Sequence, residues 1–232
     1  MKISVIIPGW NREVYFVDAI ESVLDQKIDP EHTLEIIVVV DENPSDCCGE
    51  VAERYLPRVK VVKQANNGAS ASRNCGMTHA TGDFFAFLDS DDFWHPDKIQ
   101  VQVDYLLEET DIGVVFTHEV GFEGAPPRSI LMATSPDPET VRPAANVSSF
   151  LGRAGVWEAA GPLDESLSVG EFIDWYGRVE TAGIRSRMIE QPLVYRRAHD
   201  SNQSRLQKSL KSDYLKTLQQ HLRRRRELDD AG

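Results

Sequence analysis

The sequence predicts one α/β domain built on a mostly parallel, Rossmann-like sheet flanked by helices. Three observations predict it. Short apolar, β-branched runs alternate with segments whose apolar residues recur at helical spacing, the order of a strand–helix–strand chain. Those runs are apolar at consecutive positions, so each strand is covered on both faces, as parallel strands are. Three of the runs end in polar clusters, and open parallel sheets bind ligands beyond the carboxyl ends of their strands.

The elements follow in order. Ile3 to Ile7, closed by Pro8-Gly9, reads as the first buried strand. Arg12 to Asp25 carries Phe16, Ile20, Val23 and Leu24 on one helical stripe. Leu34 to Val40 is a second strand, Asp46 to Tyr55 a helix and Val59 to Lys63 a third strand. Ala69 to His79 is a helix of small residues, able to pack closely against a sheet or a ligand. Phe84 to Leu88 is a fourth strand, and Pro96 to Glu108 a helix with proline near its first turn. The second half is less regular. Ser135 to Val147, rich in Pro, Asp and Ala, reads as a loop, and Gly161 to Asp164 as a turn. Glu171 to Gly183 reads as a helix with glycine at its end. Leu206 to Arg226 is a terminal helix with Leu210, Tyr214, Leu218 and Leu222 on one stripe. The chain thus divides into residues 1–115, a second half of the same domain at 116–203, and a C-terminal helix with a basic tail at 204–232.

Composition narrows the function. A chain of 232 residues with 41% hydrophobic residues fits one compact domain. A net charge of −12 argues against nucleic-acid binding, which requires neutralising phosphates. Three cysteines, two of them the adjacent Cys47 and Cys48, make a poor disulfide framework, and no Cys/His spacing resembles a zinc site. The first apolar run stops at Pro8, short of a signal-peptide core, and no stretch nears the roughly 20 residues of a membrane span. The expectation is a soluble, cytoplasmic protein. Arg223 to Arg226, beside the apolar stripe of the last helix, offers a surface for self-association or for peripheral contact with the anionic inner face of a membrane. The plain alternative is packing of that helix on its own domain.

Asp89, Asp91 and Asp92 crowd four positions directly after a buried strand. Like charges so close repel unless a cation relieves them, and a hard divalent ion takes such oxygen ligands. The simpler role, capping the next helix, suits a lone Asp better than this group. Asp41 also ends a buried strand, where it can accept a base N–H or cap a helix. Asn66 to Asn74 opens a helix with small polar residues and Arg73, a place that favours anions. It lacks the glycine patterns of dinucleotide and P-loop sites.

Many short segments together resemble the family 2 glycosyltransferases over nearly the whole chain. They include Ser4 to Pro8 with Asn11-Arg12, Ala19 to Leu24 with Gln26, Glu35 to Asp41, and Asn67-Gly68 with Ser72-Arg73-Asn74 and Gly76. Others are Ala80 to Asp83 running into Phe87 to Asp92, Gly161 to Leu167, Gly170-Glu171, and Tyr195-Arg196 with His199. The resemblance implies a GT-A fold, with a nucleotide-sugar half at 1–115 and an acceptor half at 116–203. It implies an inverting transfer from a nucleoside diphosphate sugar, uridine favoured, to an acceptor hydroxyl on a glycan, lipid, peptide or small metabolite. Pro8, Gly9, Trp10, Asn11, Arg12, Asp41, Asn67, Gly68, Arg73, Asp89 and Ser90 are then donor-site candidates. Asp91, Asp89 and His199 are candidate ligands of Mn²⁺ or Mg²⁺. His199 read plainly is a loop histidine, and Trp157, Trp175 and Tyr176 are sugar-stacking or core aromatics.

One position departs from the family. Where members usually read Gly-Glu-Asp, with the Asp as general base, this chain reads Gly170-Glu171-Phe172-Ile173-Asp174. Phe172 cannot take a proton, so Glu171, one residue away, or Asp174 inherits the role. Asp174 is also placed to orient Arg178. The competing reading is a nucleotide-sugar-binding protein with a regulatory or scaffolding role and little transfer. A nucleotidyltransferase is weaker still, since Pro8-Gly9-Trp10 is no glycine-rich loop.

Overall fold

The computed structural model of the chain describes residues 1–9, 13–42, 47–65, 68–124, 137–167 and 169–199, without the side chains of residues 13, 14, 41 and 42. The central strands are β1 (Lys2–Gly9), β2 (Thr33–Glu42), β3 (Lys60–Ala65) and β4 (Phe84–Phe87), all parallel, with β1 between β2 and β4. They alternate with α1 (Glu13–Leu24), α2 (Cys48–Glu53) and α3 (Gly68–Thr78). Then come β5 (Phe93–Trp94), α4 (Lys98–Glu108), β6 (Ile112–Glu123), β7 (Val141–Ala144), β8 (Leu151–Arg153), α5 (Ala154–Ala160), α6 (Glu171–Thr181) and β9 (Arg185–Ala198). All described strands join one sheet in the order β3-β2-β1-β4-β8-β6-β9-β5, with β7 beside β6.

Burial explains why the apolar runs became strands. Ile3 to Gly9 is buried at every position. On one face Ile3, Val5 and Ile7 share a core with Phe16, Ile20 and Val23 of α1 and with Ile99, Val103 and Leu106 of α4. On the other, Ile6, Ile37 and Val39 pack with Phe85, Phe87, Phe150, Phe172 and Trp175. Each such side chain is worth about 1.5–3 kcal/mol when removed from water. The small residues of α3 do allow a close approach. A Cβ on Gly76 would lie 2.4 Å from Cγ2 of Ile6.

The second half is more regular than its sequence suggests. Within Ser135–Val147, expected to be a loop, Val141–Ala144 forms β7, antiparallel to β6, after a short 3-10 turn at Pro138–Thr140. Pro143 sits within that strand opposite His118. Its composition reads as a breaker, yet pairing to the long neighbouring strand supplies the order that local propensity lacks. The β6–β9 ladder runs from Ile112 to Glu123, with register shifts around Thr117 and His118, where Pro192 lies opposite. Those irregularities break the alternation from which a strand is read. The 115/116 boundary falls inside β6, so both halves share one sheet. No helix among the described residues is long and apolar enough to cross a membrane. The terminal helix read at Leu206–Arg226 lies outside the described residues.

Candidate functional site

Three neighbouring strand ends open on one edge of the sheet. Gly9 pairs with Val40, and Ile6 with Phe87, so the chain leaves β1, β2 and β4 side by side. Pro8 and Gly9 are buried within β1, and a Cβ on Gly9 would sit 2.5 Å from the tip of the Phe16 ring. Gly9 is therefore small because α1 lies against it. Gly68 opens α3 at φ +86°, a left-handed conformation that glycine adopts without strain. Trp10, Asn11, Arg12, Asn67 and the side chain of Asp41 lie outside what is described.

Arg73 is the hinge of the site. It projects from the second turn of α3 and is 4% exposed. Its Nη2 donates to Oδ1 of Asp89 at 2.7 Å and its Nη1 to Oε1 of Glu171 at 2.9 Å. Burial alone would lower its pKa, but the carboxylates of Asp89 and then Glu171 outweigh burial and hold it up. One arginine thus ties the end of β4 to the start of α6. Its Nε has no partner among the described residues. The next residue secures the same junction. Asn74 receives the Leu163 amide at its Oδ1 and donates to the Leu163 carbonyl, both at 2.9 Å, and to Glu165 at 2.8 Å.

The acid cluster is held from behind. Asp92 is buried; its Oδ2 accepts from the Ser148 hydroxyl at 2.9 Å and its Oδ1 from the Arg197 amide at 3.1 Å. Burial, then the charges of Asp91 and Asp89, push the Asp92 carboxyl well up from its ordinary value. Ser148 Oγ also accepts the Asp89 amide at 3.2 Å, and Ser90 is buried beside them. Asp91 Oδ2 meets His199 Nε2 at 2.9 Å, and the His199 ring lies 5.1 Å from that of Tyr15. Ligand oxygens of Asp89, Asp91 and Asp92 all fall within 4.8 Å of one another. With Asp92 committed to Ser148 and Arg197, the partly exposed Asp89 and Asp91 with His199 are the groups that can hold a metal. Two carboxylates beside an imidazole that already meets one of them at 2.9 Å are ligand types that suit a divalent ion such as Mn²⁺ or Mg²⁺.

The sequence reading gave no role to Arg197 or Ser148. Arg197 is 2% exposed, donates to the Asp91 carbonyl at 3.2 Å and to Asp18 at 2.7 Å, and lies 4.4 Å over the Tyr15 ring. It pins the acid turn to α1. Arginine is seldom so buried, so position 197 reads as surface charge in a sequence, although it stands between two matched family positions.

The start of α6 separates three side chains that the sequence lists together. Glu171 turns to Arg73. Asp174 is buried and pairs with Nε of Arg178 at 3.2 Å, whose guanidinium also donates to the carbonyls of Ala160 and Pro162. Phe172 packs into the core, 5.6 Å from the Trp175 ring and edge-on to Phe150 and Phe116. Trp175 is fully buried, and Trp157 and Tyr176 border the same core.

Comparison with known proteins agrees with this architecture. The model of the glycosyl transferase family 2 matches residues 4–145. An uncharacterized glycosyltransferase of Nostoc sp. is 34% identical over 157 residues, 66% of this chain and 47% of that protein. The minor teichoic acid biosynthesis protein GgaA of Bacillus subtilis is 34% identical over 117 residues, 48% of this chain and 26% of its own. The chain therefore spans less than half the length of these relatives. The crystal structure of S. aureus TarS 1–349 in complex with UDP-GlcNAc superposes with a TM-score of 0.69 at 21% identity, over 87% of this chain and 60% of that one. The fold is of the same GT-A type.

Proposed function

The chain belongs to glycosyl transferase family 2, and on that premise we propose that it transfers a sugar from a UDP-sugar to an acceptor hydroxyl, with inversion and with a divalent metal. The observation that carries the proposal is the buried Arg73, which joins an acid of the metal-binding cluster, Asp89, to the candidate base Glu171. The UDP-GlcNAc bound by TarS, a protein of like fold, supports the donor class.

Asp89, Asp91 and His199 would hold the metal, which when bound supplies positive charge to the diphosphate leaving group. Ser148 and Arg197 keep Asp92 and the acid turn in place. Arg73 grips Glu171 by Oε1 alone, and Oε2 has no hydrogen bond among the described residues. That oxygen takes the acceptor proton as the acceptor oxygen bonds to the anomeric carbon. The bond from that carbon to the diphosphate oxygen breaks on the opposite face, and its electron pair leaves with UDP. Asp174 does not share the role, since it orients Arg178.

Calorimetry with UDP and Mn²⁺, paired with UDP release from UDP-sugars over an acceptor panel, tests this. Asp91→Asn is expected to weaken UDP binding in Mn²⁺. Glu171→Gln is expected to slow turnover by about 10²–10⁴-fold with UDP affinity near wild type. Unchanged UDP affinity in Asp91→Asn removes the metal assignment. Normal turnover in Glu171→Gln removes the base, and a donor-binding protein with little transfer becomes the better account.

A further inference from the structure

Beside the acid cluster, two guanidinium groups converge on one carboxylate oxygen. Glu119 of β6 is almost fully buried. Its Oε1 lies 2.6 Å from Nε of Arg142 on β7 and 3.7 Å from Nη1 of Arg196 on β9, while its Oε2 accepts from Asn146 at 2.6 Å. The arginines themselves stay partly in solvent, their side chains 58% and 40% exposed. They flank β6 on opposite sides, Arg142 opposite Glu119 and Arg196 opposite Gly121. The strand surface between them carries only the hydrogen of Gly121, where an added Cβ would meet nothing nearer than Arg142 Nη2 at 3.9 Å.

Satisfying Glu119 does not need both arginines. A buried carboxylate requires one cation and enough donors for its two oxygens. Arg142 and Asn146 already supply these at 2.6 Å, and Arg196 stands beyond hydrogen-bond distance. Arg142 spends only Nε on the pair, so its Nη1/Nη2 end has no partner among the described residues. The group carries a surplus positive charge in a chain of net charge −12. It also adjoins the reaction centre. Arg196 precedes Arg197, whose amide holds Asp92, and Asn146 lies two residues from Ser148, which holds the same carboxylate. Burial would lower the pKa of Arg196, but Asp92, Glu119, Asp89 and Asp91 all act to raise it, so it stays charged. Arg73, already engaged by Asp89 and Glu171, serves a different part of the cluster.

We infer that Arg142 and Arg196, held by Glu119, form a subsite for an oxyanion on the acceptor, a phosphate or a carboxylate, so that the acceptor class is anionic. Two guanidinium ends facing solvent across a bare strand suit bidentate recognition of such a group. The inference rests on the transferase reading and extends it to the second substrate.

The test uses the full chain saturated with UDP and Mg²⁺, titrated with inorganic phosphate as the probe. Wild type is expected to bind phosphate, and Arg142→Gln/Arg196→Gln to bind it at least tenfold more weakly with UDP affinity unchanged. Arg142→Gln alone, at the more exposed position, is expected to lose several-fold and keeps the test decisive if the double variant misfolds. Absence of phosphate binding to wild type, or equal affinity in Arg142→Gln, overturns the inference. So does a parallel loss of UDP affinity, which assigns the arginines to the donor. Failure of wild type to bind UDP at all overturns the transferase reading first, and the subsite with it.

Discussion

Replacing Phe172 by Asp puts a carboxyl where the family usually carries its base, and the structure says that this harms the protein without helping it. The Phe172 ring is 7% exposed and stacks on Trp175 at 5.6 Å, with Phe150 at 5.8 Å and Phe116 at 6.3 Å edge-on. Emptying such a site costs about 3–5 kcal/mol. Burying a carboxyl there without a partner adds about 1–3 kcal/mol. A loss of at least about 4 kcal/mol is a large part of the roughly 5–15 kcal/mol that holds a domain folded. At about 2–4 °C per kcal/mol for a chain of this size, Tm falls by about 8 °C or more. Urea unfolding followed by tryptophan fluorescence measures it, with Trp175 and Trp157 beside the site as reporters. Phe172→Leu, which keeps the site apolar and most of its volume, is the control and costs less than the roughly 3–5 kcal/mol of emptying the site. A Phe172→Asp protein within about 1 kcal/mol of wild type that also releases UDP faster would refute the reasoning, because position 172 would then reach the substrate rather than the core.

Two further outcomes follow from packing and charge. Glu35 accepts from Lys2, Ser4 and Thr81; burial would raise its pKa, but these bonds hold it down to about 2 against 4.5 unperturbed. Because the folded value is the lower one, this stability is fully present above about pH 4.5 and is lost as pH falls toward 2. Glu35→Gln is therefore expected to cost about 2 kcal/mol in urea unfolding at pH 7 and much less near pH 2; a penalty that does not shrink with acid would show that the ionised form is not what matters. Gly76→Ala places a methyl 2.4 Å from Ile6 Cγ2 and is expected to destabilise by about 1–2 kcal/mol, overpacking outweighing the gain in helix propensity. A rise in Tm would mean that α3 stands further from β1 than it does here.

The first half was legible because each element there is decided by its own residues. Ile3–Ile7 and Leu34–Val40 are apolar except at Ser4 and Glu35, and their apolar side chains have no alternative to burial in a sheet. The closeness of the acid cluster was legible for a related reason: three carboxylates directly after a buried strand cannot spread apart, and the structure holds their oxygens within 4.8 Å of one another. What sequence could not convey were structures made by a neighbour. Val141–Ala144 is a strand only because β6 lies beside it, and Pro143 argues locally against it. Arg197 is buried only because Asp18, Tyr15 and the Asp91 carbonyl, far apart in the chain, surround it. The split between Glu171 and Phe172, one facing an arginine and one facing tryptophan, depends on how α6 is rotated against the sheet. Their adjacency in the chain carries no sign of that rotation.

The continuity of β6 across residues 115 and 116 bears on how such a protein is recombined. A swap of acceptor specificity made by joining residues 1–115 of one chain to the remainder of another cuts a strand between Val115, opposite Arg187, and Phe116, opposite Met188. The hybrid would inherit a mismatched ladder and would also have to reconcile Arg73 from one parent with Glu171 from the other. A junction in the turn before Ile112 keeps β6, β7, β8 and β9 together as a set, and the graft then has to re-form the β4–β8 and β5–β9 pairings, the Arg73–Glu171 ion pair and the bonds of Asp92 to Ser148 and Arg197.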